Sequence, residues 1–386
     1  TTITTKWPQV NLGNIVDVLI GGTPARKNPA YFTGNNPWVS ISEMAGGLIT
    51  ETKEKITDKA VKESNVKLIP KGTTLLSFKL SIGKTAIAGC DLYTNEAIAG
   101  LIPKDNKVVL NEYLFQIFNS GHINLDVKGL NAFGKSLNSK ILREEVIVPL
   151  PPINEQKAFV AECKKIDAGV DRAKTNIANT FAAIISDVDA IYASSAPRIE
   201  IAKLSTNIQY GINEKMNEAG IGYKIFRMNE IIQGRMVDNG AMKCADISAE
   251  EFAKYRLNKG DLLFNRTNSI EHVGKTGLFD LDGDYCFASY LVRVVPDTSK
   301  ILPLFLVKMM NSPAYQAEAK GKASKSINQA NINATVMKNI KVPVPSLAEQ
   351  KKFVAKVEAL EKQIADAQAV IDATPARKEA VMKKYL

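Results

Sequence analysis

The chain has 386 residues, of which 45% are hydrophobic and 23% are charged. This composition is typical of a globular protein and excludes a wholly disordered chain, a collagen-like chain and a small disulfide scaffold. No segment approaches the ~18 consecutive apolar residues of a membrane span, so we expect a cytoplasmic protein without a membrane partner. The net charge of +10 permits a polyanionic partner without proving one.

The sequence contains a long internal repeat. Residues 148–161 read VPLPPINEQKAFVA and residues 342–355 read VPVPSLAEQKKFVA, and the two segments are identical at nine of fourteen positions. Shorter matches also occur, such as Gly83-Lys84-Thr85 with Gly274-Lys275-Thr276. The repeat therefore predicts two tandem copies of one unit of about 190 residues, which is far longer than the period of a solenoid.

Each copy begins with a globular domain that we predict to be a mixed α/β (α+β) fold, because short β-like runs alternate with Gly, Pro and Asn. The first domain covers residues 1–152, with predicted strands at Val66–Ile69, Thr74–Phe78 and Ala97–Ile102 and a predicted helix at Asn111–Asn119. The second domain covers residues 195–345, with predicted strands at Leu262–Asn265 and Tyr290–Val295 and a predicted helix at Leu302–Asn311.

A long helix is predicted after each domain, in residues 153–194 and 346–386. Apolar side chains recur there at alternating spacings of four and three, which is typical of a heptad coiled coil. The positions of this seam are Phe159, Cys163, Ile166, Val170, Ala173 and Ile177, and, 194 residues later, Phe353, Val357, Leu360, Ile364, Ala367 and Ile371. Pro375 predicts a break before a short basic piece at the end of the chain.

Matching seams favour packing of the two helices on each other as an antiparallel coiled coil, with the two copies related by a pseudo-twofold axis. Two independent amphipathic helices, each packed on its own domain, are the alternative.

The sequence carries little material for catalysis. The two Gly-Lys-Thr triplets lack the earlier glycine of a phosphate-binding loop, because Phe78 and Ser269 stand at that position. The two histidines are isolated and the four cysteines form no Cys-x-x-Cys pair, so we predict no catalytic residue, no metal site and no disulfide, and we expect the cysteines to be buried.

The charge pattern favours DNA binding by the two domains. Residues 1–150 carry 17 basic and 13 acidic side chains and residues 196–345 carry 20 and 15, whereas the helical regions are close to neutral. Arg, Asn, Ser and Thr in loops after β-like runs are side chains that read base edges. The predicted DNA contacts are Thr23, Arg26, Lys27, Ser77, Lys79, Ser81, Lys84, Lys135, Arg227, Asn265, Arg266, Asn268, Lys275 and Lys325.

These features resemble the specificity (S) subunit of type I restriction–modification enzymes. The resemblance is carried by Gly21-Gly22-Thr23-Pro24, by Leu75-Leu76-Ser77-Phe78-Lys79 with Ile82-Gly83-Lys84, and by the twin junctions ending in Glu155-Gln156 and Glu349-Gln350. Two departures stand out, namely Asn265-Arg266 in place of the Ser-Phe-Lys pattern and Pro345-Ser346 in place of Pro-Pro.

The resemblance implies that each domain is a target recognition domain for one half of an asymmetric, bipartite DNA site. It implies that the helices set the gap between the half-sites and dock two methyltransferase (modification) subunits, and that two motor-nuclease (restriction) subunits can join. S-adenosylmethionine, ATP and magnesium would then bind to the partners and none to this non-catalytic chain. The alternatives are a stand-alone DNA methyltransferase or nuclease and a protein-binding scaffold without affinity for DNA.

Overall fold

The computed structural model describes residues 5–126, 137–326 and 329–386. The chain forms two compact units, one from Thr1–Ala173 together with Ala369–Leu386 and one from Lys174–Gln368. Each unit therefore combines one globular domain with part of the long helices. None of the helices in the described ranges has both the length and the hydrophobicity to cross a lipid bilayer.

The first unit is built around a five-stranded sheet with the strand order β2-β9-β6-β7-β4. Its neighbouring strands are antiparallel except for the parallel pair β4 and β7. A three-stranded sheet (β5-β3-β8) and a two-stranded sheet (β1-β10) complete the described strands. The strands are β1 (Gln9–Asn11), β2 (Val16–Ile20), β3 (Asn36–Val39), β4 (Leu48–Ile49), β5 (Glu54–Ile56), β6 (Thr74–Ser77), β7 (Thr85–Ala88), β8 (Tyr93–Thr94), β9 (Ile98–Pro103) and β10 (Ile147–Pro149).

Short helices cover one face of this sheet and close its core. Leu114, Ile117 and Phe118 of the third helix lie fully buried in one cluster with Leu76 and Leu101 of the sheet. The helices are α1 (Leu12–Ile15), α2 (Asp58–Glu63), α3 (Asn111–Asn119), α4 (Ser139–Glu144) and the long α5 (Ile153–Ala193), of which the first half belongs to this unit.

The second unit repeats this topology. Its six-stranded sheet has the order β12-β22-β18-β20-β16-β15, and the first five strands match those of the first unit one by one, including the parallel pair β16 and β20. Its strands are β11 (Arg198–Glu200), β12 (Ser205–Tyr210), β13 (Met216–Asn217), β14 (Tyr223–Phe226), β15 (Ile231–Ile232), β16 (Arg235–Met236), β17 (Cys244–Ala245), β18 (Leu262–Asn265), β19 (Thr267–Asn268), β20 (Thr276–Leu278), β21 (Tyr285–Phe287), β22 (Leu291–Pro296), β23 (Ser324–Lys325), β24 (Ala330–Asn331) and β25 (Lys341–Pro343).

The helices of the second unit occupy corresponding places. They are α6 (Ala249–Tyr255), α7 (Pro303–Met310), α8 (Pro313–Gly321), α9 (Ala334–Asn339) and α10 (Leu347–Asp372), and α11 (Thr374–Tyr385) ends the chain in the first unit. The predicted mixed α/β fold and the duplication are confirmed by this repeated strand order.

Most predicted elements lie within one or two residues of the observed ones, but Val66–Ile69 is not a strand. Only Ile69 forms an isolated bridge, with Leu92. Pro70 follows directly and has no N–H with which to extend the ladder. Cys163, Cys244 and Cys286 are buried as predicted, whereas Cys90 is partly exposed.

The break predicted at Pro375 is present, because α10 ends at Asp372 and α11 begins at Thr374. The segment after the break was predicted as a short basic piece, and its burial in the core was not predicted. It is a helix of 12 residues whose Val381 and Met382, together with Leu386, are buried in one cluster with Phe159 and Cys163 of α5. An amphipathic end segment thus completes the core of the first unit.

The long helices pack on each other within each unit. In the first unit Lys384 and Lys378 of α11 pair with Glu162 and Asp167 of α5, so α11 runs antiparallel to this half of α5. In the second unit Phe353 and Val357 of α10 share a core cluster with Ile184 and Val188 of α5. All the predicted seam positions are buried or half-buried, while the regular heptad geometry of a coiled coil stays a prediction.

Candidate nucleic-acid interface

The loop between β6 and β7 is closed by Ser77. Its backbone accepts a hydrogen bond from the N–H of Gly83 at 2.9 Å and donates one to the carbonyl of Lys84 at 2.8 Å. Its hydroxyl donates to the carbonyl of Ser81 and accepts from the N–H of Lys84. Ser77 is fully buried, so its side chain fixes the loop and does not face solvent, in contrast to its predicted contact with DNA.

The closed loop projects charged and apolar side chains into solvent. Ser81 and Lys84 are exposed, and the ammonium of Lys79 lies 5.3 Å from the centre of the buried Phe78 ring. Leu80 is 88% exposed, and its φ of 62° lies in the left-handed region that few residues other than glycine adopt. An exposed, strained leucine between two lysines is unusual for a loop whose only role is to connect two strands.

The segment from Gly21 to Lys27 lies beside this loop. Thr23 donates a hydrogen bond to Glu96, which precedes β9. Arg26 forms a two-pronged ion pair with Glu54, and its Nη2 lies 2.9 Å from Oε2. The same guanidinium stands 4.3 Å from the ring centre of Phe32, a cation–π contact that restricts its position.

Glu96 links the two segments electrostatically. The hydrogen bond from Thr23 lowers the pKa of Glu96, and the positive charges of Lys79 and Arg26 act in the same direction. The structure thus brings Thr23, Arg26 and Lys79 together around one carboxylate. Glu54 and Glu96 were not among the predicted site residues, because no motif marks an acid that lies tens of residues from the side chain it contacts.

The second unit has the same loop frame with different contents. Asn265 takes the place of Ser77, because its carbonyl accepts from the N–H of Gly274 and its N–H donates to Lys275, both at 2.8 Å. Its side chain is buried and donates to the carbonyl of His272 at 3.1 Å. Asn265 therefore closes its loop, as Ser77 does, and its predicted contact with a base is not available in this conformation.

The neighbouring Arg266 is held from several sides. Its guanidinium lies 4.9 Å from the ring centre of Tyr210, and its backbone bonds to Tyr290 and Ile332. The following residues form β19, which pairs with β24. In β19, Asn268 directs its amide towards the sulfur of Met228 at 2.7 Å. The side chains of Arg266 and Asn268 are half-buried and fixed in position.

Further cations surround this loop. Lys275 lies 2.7 Å from Nδ1 of His272, and Lys320 donates to the carbonyl of Glu271 at 2.9 Å. Both lysines line an open hollow of about 440 Å³, together with Lys308. Arg227 pairs at 2.7 Å with the fully buried Glu230, which fixes its guanidinium close to β14.

The predicted contacts thus fall into three groups. Ser77 and Asn265 are buried, and Lys135 lies outside the described residues. The others are at least partly exposed on the two units: Thr23, Arg26, Lys27, Lys79, Ser81 and Lys84 in the first, and Arg227, Arg266, Asn268, Lys275 and Lys325 in the second. In each unit these exposed residues lie around one loop at the same place in the duplicated sheet, between β6 and β7 in the first unit and between β18 and β20 in the second. Two of them are placed less directly, because Lys27 is located only by its neighbours in sequence and Lys325 only by its position in β23.

Comparison with known proteins gives a consistent family. The family model described as "Type I restriction modification DNA specificity domain" matches residues 4–180 and 201–372. The MjaIX specificity subunit of Methanocaldococcus jannaschii is 32% identical over 174 residues, which cover 44% of this chain and 39% of that protein. The EcoKI specificity subunit of Escherichia coli is 23% identical over 396 residues, which cover 92% of this chain and 84% of that protein. In two Methanocaldococcus jannaschii relatives that are 30% and 32% identical, the match spans 44% and 39% of their length, so this chain matches less than half of each.

Two solved structures share the fold. The type I restriction–modification S subunit from M. genitalium has a TM-score of 0.59 and 14% identity, covering 99% of this chain and 96% of that one. A second solved structure, described as the structural basis of complex assembly and conformational transition of the type I R-M system, has a TM-score of 0.60 and 18% identity. The match covers 100% of this chain and 98% of that one.

Proposed function

Because this chain belongs to the family of type I restriction–modification DNA specificity domains, we propose that it is the DNA-reading subunit of a type I restriction–modification complex. Each unit binds one half of an asymmetric, bipartite duplex site. The chain carries no catalytic residue of its own. Cleavage and methylation belong to its partner subunits.

The observation that carries this proposal is the contrast between the two loops. Ser77 and Asn265 close loops of the same hydrogen-bond pattern at the same place in the sheet. The first loop exposes Leu80 and Lys84, whereas the second is longer and presents Arg266 and Asn268. A duplicated frame with different exposed side chains is what two readers of different sequences require.

We assign the two kinds of contact to different side chains. Arg266 and Asn268 are held by aromatic and sulfur contacts, and such restrained groups suit direct recognition of bases. Arg26 is held in the same way in the first unit. Exposed lysines such as Lys84 and Lys275 suit the phosphate backbone, which requires charge without fixed geometry.

The helices serve the assembly. We propose that α5, α10 and α11 set the distance between the half-sites and dock two methyltransferase subunits, which bind S-adenosylmethionine. Two motor-nuclease subunits that use ATP and magnesium join the same complex. These cofactors are assigned to the partners and not to this chain.

The direct test is a titration of duplex DNA binding against salt. Log affinity should fall linearly with log salt, with a slope of about −0.9 for each phosphate that the protein neutralises. The triple variant Lys79→Gln, Lys84→Gln and Lys275→Gln should have a shallower slope. Replacing Lys59, Lys62 and Lys254 by Gln removes the same charge from other exposed sites and should leave most of the slope unchanged.

Two results would overturn the proposal. A flat salt dependence would favour a scaffold that binds only protein. Cleavage of DNA, or binding of S-adenosylmethionine, by the purified chain alone would favour a stand-alone enzyme.

A further inference from the structure

Among the ion pairs that join the helices, one in each unit involves equivalent positions of α5 and α10, and the charges of these two pairs are exchanged. In the first unit Glu162 of α5 pairs with Lys384 of α11. In the second unit Lys356 of α10 stands 194 residues after Glu162 and pairs with Asp187 of α5 at 2.7 Å. Lys356 thus holds the place of Glu162, and Asp187 faces Lys356 as Lys384 faces Glu162.

Each ion pair joins one half of the sequence to the other half. We call residues 1–194 the first half-chain, which contains all of α5, and residues 195–386 the second half-chain, which contains α10 and α11. Glu162 and Asp187 are both acidic and both in the first half-chain. Lys356 and Lys384 are both basic and both in the second.

Because the two helical segments are repeats, a half-chain could in principle pair with a second copy of itself. Two first half-chains would then place Glu162 opposite Asp187, and two second half-chains would place Lys356 opposite Lys384. Both arrangements bring like charges together, which is unfavourable between neighbouring helices. Pairing of unlike half-chains gives two attractive contacts.

We propose that these exchanged charges make each helical face selective for the complementary half-chain and disfavour a second copy of the same half. The seam from Phe159 to Ile177 gives little selection by itself, because it is repeated position by position from Phe353 to Ile371. The charges break the equivalence that duplication created.

The size of the effect follows from counting contacts. A mixed complex joins a first half-chain to a second half-chain, and a like complex joins two copies of the same half-chain. Converting two mixed complexes into one like complex of each kind removes four of these ion pairs and creates four like-charge contacts. All four side chains are between about one quarter and three fifths exposed, so each change alters an equilibrium about twofold. Together the eight changes alter the exchange equilibrium ~200-fold, and salt reduces this factor.

The test uses the full chain cut once after folding. A protease site is placed at the exposed Ser194 and Ser195, between the end of α5 and the start of β11. Isotope-labelled and unlabelled cut protein are mixed, unfolded in urea and refolded. Native mass spectrometry then counts mixed and like complexes, and label exchange reports that partners have been redistributed.

Two variants provide the comparison. Glu162→Lys with Lys384→Glu keeps both ion pairs of the mixed complex but makes the like pairings attractive as well. Adding Asp187→Lys and Lys356→Asp restores like-charge repulsion in both like pairings. Both variants lose the 2.7 Å bond from the Tyr385 hydroxyl to Glu162, so this contact does not distinguish them.

We expect mixed complexes from the wild type and from the fourfold variant, and a ~200-fold shift towards like complexes in the twofold variant. Equal distributions for the twofold and fourfold variants would overturn the proposal. Failure of wild-type halves to recover any mixed complex would also overturn it, because the selection must then lie in the covalent link. No DNA is used, so the outcome is independent of the proposed function.

Discussion

Gln156 and Gln350 stand 194 residues apart and make the same three hydrogen bonds in the two units. Each side chain is fully buried. The oxygen of Gln156 accepts from the N–H of Leu110, and its nitrogen donates to the carbonyls of Val108 and Pro151. Gln350 accepts from Leu302 and donates to Lys300 and Pro345. The glutamine of each repeated junction therefore ties the start of a long helix to the start of the domain helix, α3 or α7.

Replacing either glutamine by alanine should destabilise the unit that contains it by about 2–4 kcal/mol. The change leaves a buried N–H and two carbonyl oxygens without partners. Urea unfolding followed by circular dichroism measures the loss. Gln9→Ala is the matched control, because Gln9 is an exposed strand residue, and it should cost less than ~0.5 kcal/mol. If Gln156→Ala or Gln350→Ala lost no more stability than Gln9→Ala, the role assigned to these glutamines would be contradicted.

Leu80→Asn should stabilise the first unit by about 0.5–1 kcal/mol, because asparagine tolerates the left-handed backbone that Leu80 occupies. Leu68→Asn is the control, since Leu68 is also exposed, at 50%, but has no positive φ. If the loop contacts DNA as proposed, the same change should lower DNA affinity even though the fold becomes more stable. Equal stability of both variants would show that the loop stores no strain.

The ion-pair cluster around Glu361 should make the second unit sensitive to acid. Burial raises the pKa of Glu361, but hydrogen bonds from Lys308 at 2.5 Å and Arg235 at 2.6 Å more than offset this and lower it below 4.5. A carboxylate whose pKa is lower in the folded state stabilises the fold above its unfolded pKa and loses this effect as the pH falls through the folded pKa.

Glu361→Gln should therefore destabilise the second unit by about 1–3 kcal/mol at pH 7. The difference from the wild type should shrink as the pH falls below 4.5, the usual value for this carboxyl group. Stability measured in urea over this pH range checks both points. Glu358→Gln, an exposed change on the same helix, should show a small difference at neutral pH. A difference that is constant with pH would exclude the ionised carboxylate as the cause.

The periodic parts of the molecule could be predicted from the sequence. Heptad spacing located α5 to within one residue at each end, because one continuous apolar seam is enough to define a long helix. The serine that replaces proline at the second junction also has a local reason. Ser346 accepts from the N–H of Glu349 at 3.3 Å and donates to the Glu349 carboxylate at 2.6 Å, which caps α10.

The site was less predictable. Ser77 and Asn265 are polar loop residues, and composition does not reveal that they close the loop from inside. Glu54 and Glu96 were missed because their contacts with Arg26 and Thr23 depend on the fold of the whole sheet. The packing of α11 into the core of the first unit was not predicted, because its few apolar residues, such as Val381 and Met382, form too short a pattern to stand out.

Arg266→Ala should change which DNA sequence is bound, whereas Lys275→Ala should weaken binding to all sequences alike. Loss of the restrained guanidinium should cost about 1–3 kcal/mol at one base position of one half-site. Selection of binding sites from a randomised duplex library measures both effects. An unchanged motif and strength for Arg266→Ala would show that this arginine does not read DNA.

The last prediction concerns the distance between the half-sites. The chain passes from the first unit to the second between Ala173 and Lys174 in α5, and returns between Gln368 and Ala369 in α10. Seven residues inserted after Lys174 alone would shift one half of α5 along its partner and break ion pairs such as Lys356 with Asp187. Seven residues inserted after both Ala173 and Gln368 preserve the pairings within each unit.

On the proposed function, the double insertion should lengthen the recognised gap. One heptad adds roughly 10 Å of helix, and duplex DNA rises ~3.4 Å per base pair along each strand, so the gap should grow by about three base pairs while both half-sites keep their sequences. The methylated motif of the assembled enzyme gives the gap directly. A double insertion of one residue is the control, because it rotates the seam by ~100° and should abolish assembly. An unchanged gap with the double heptad would mean that the distance between half-sites is set by the partner subunits and not by these helices.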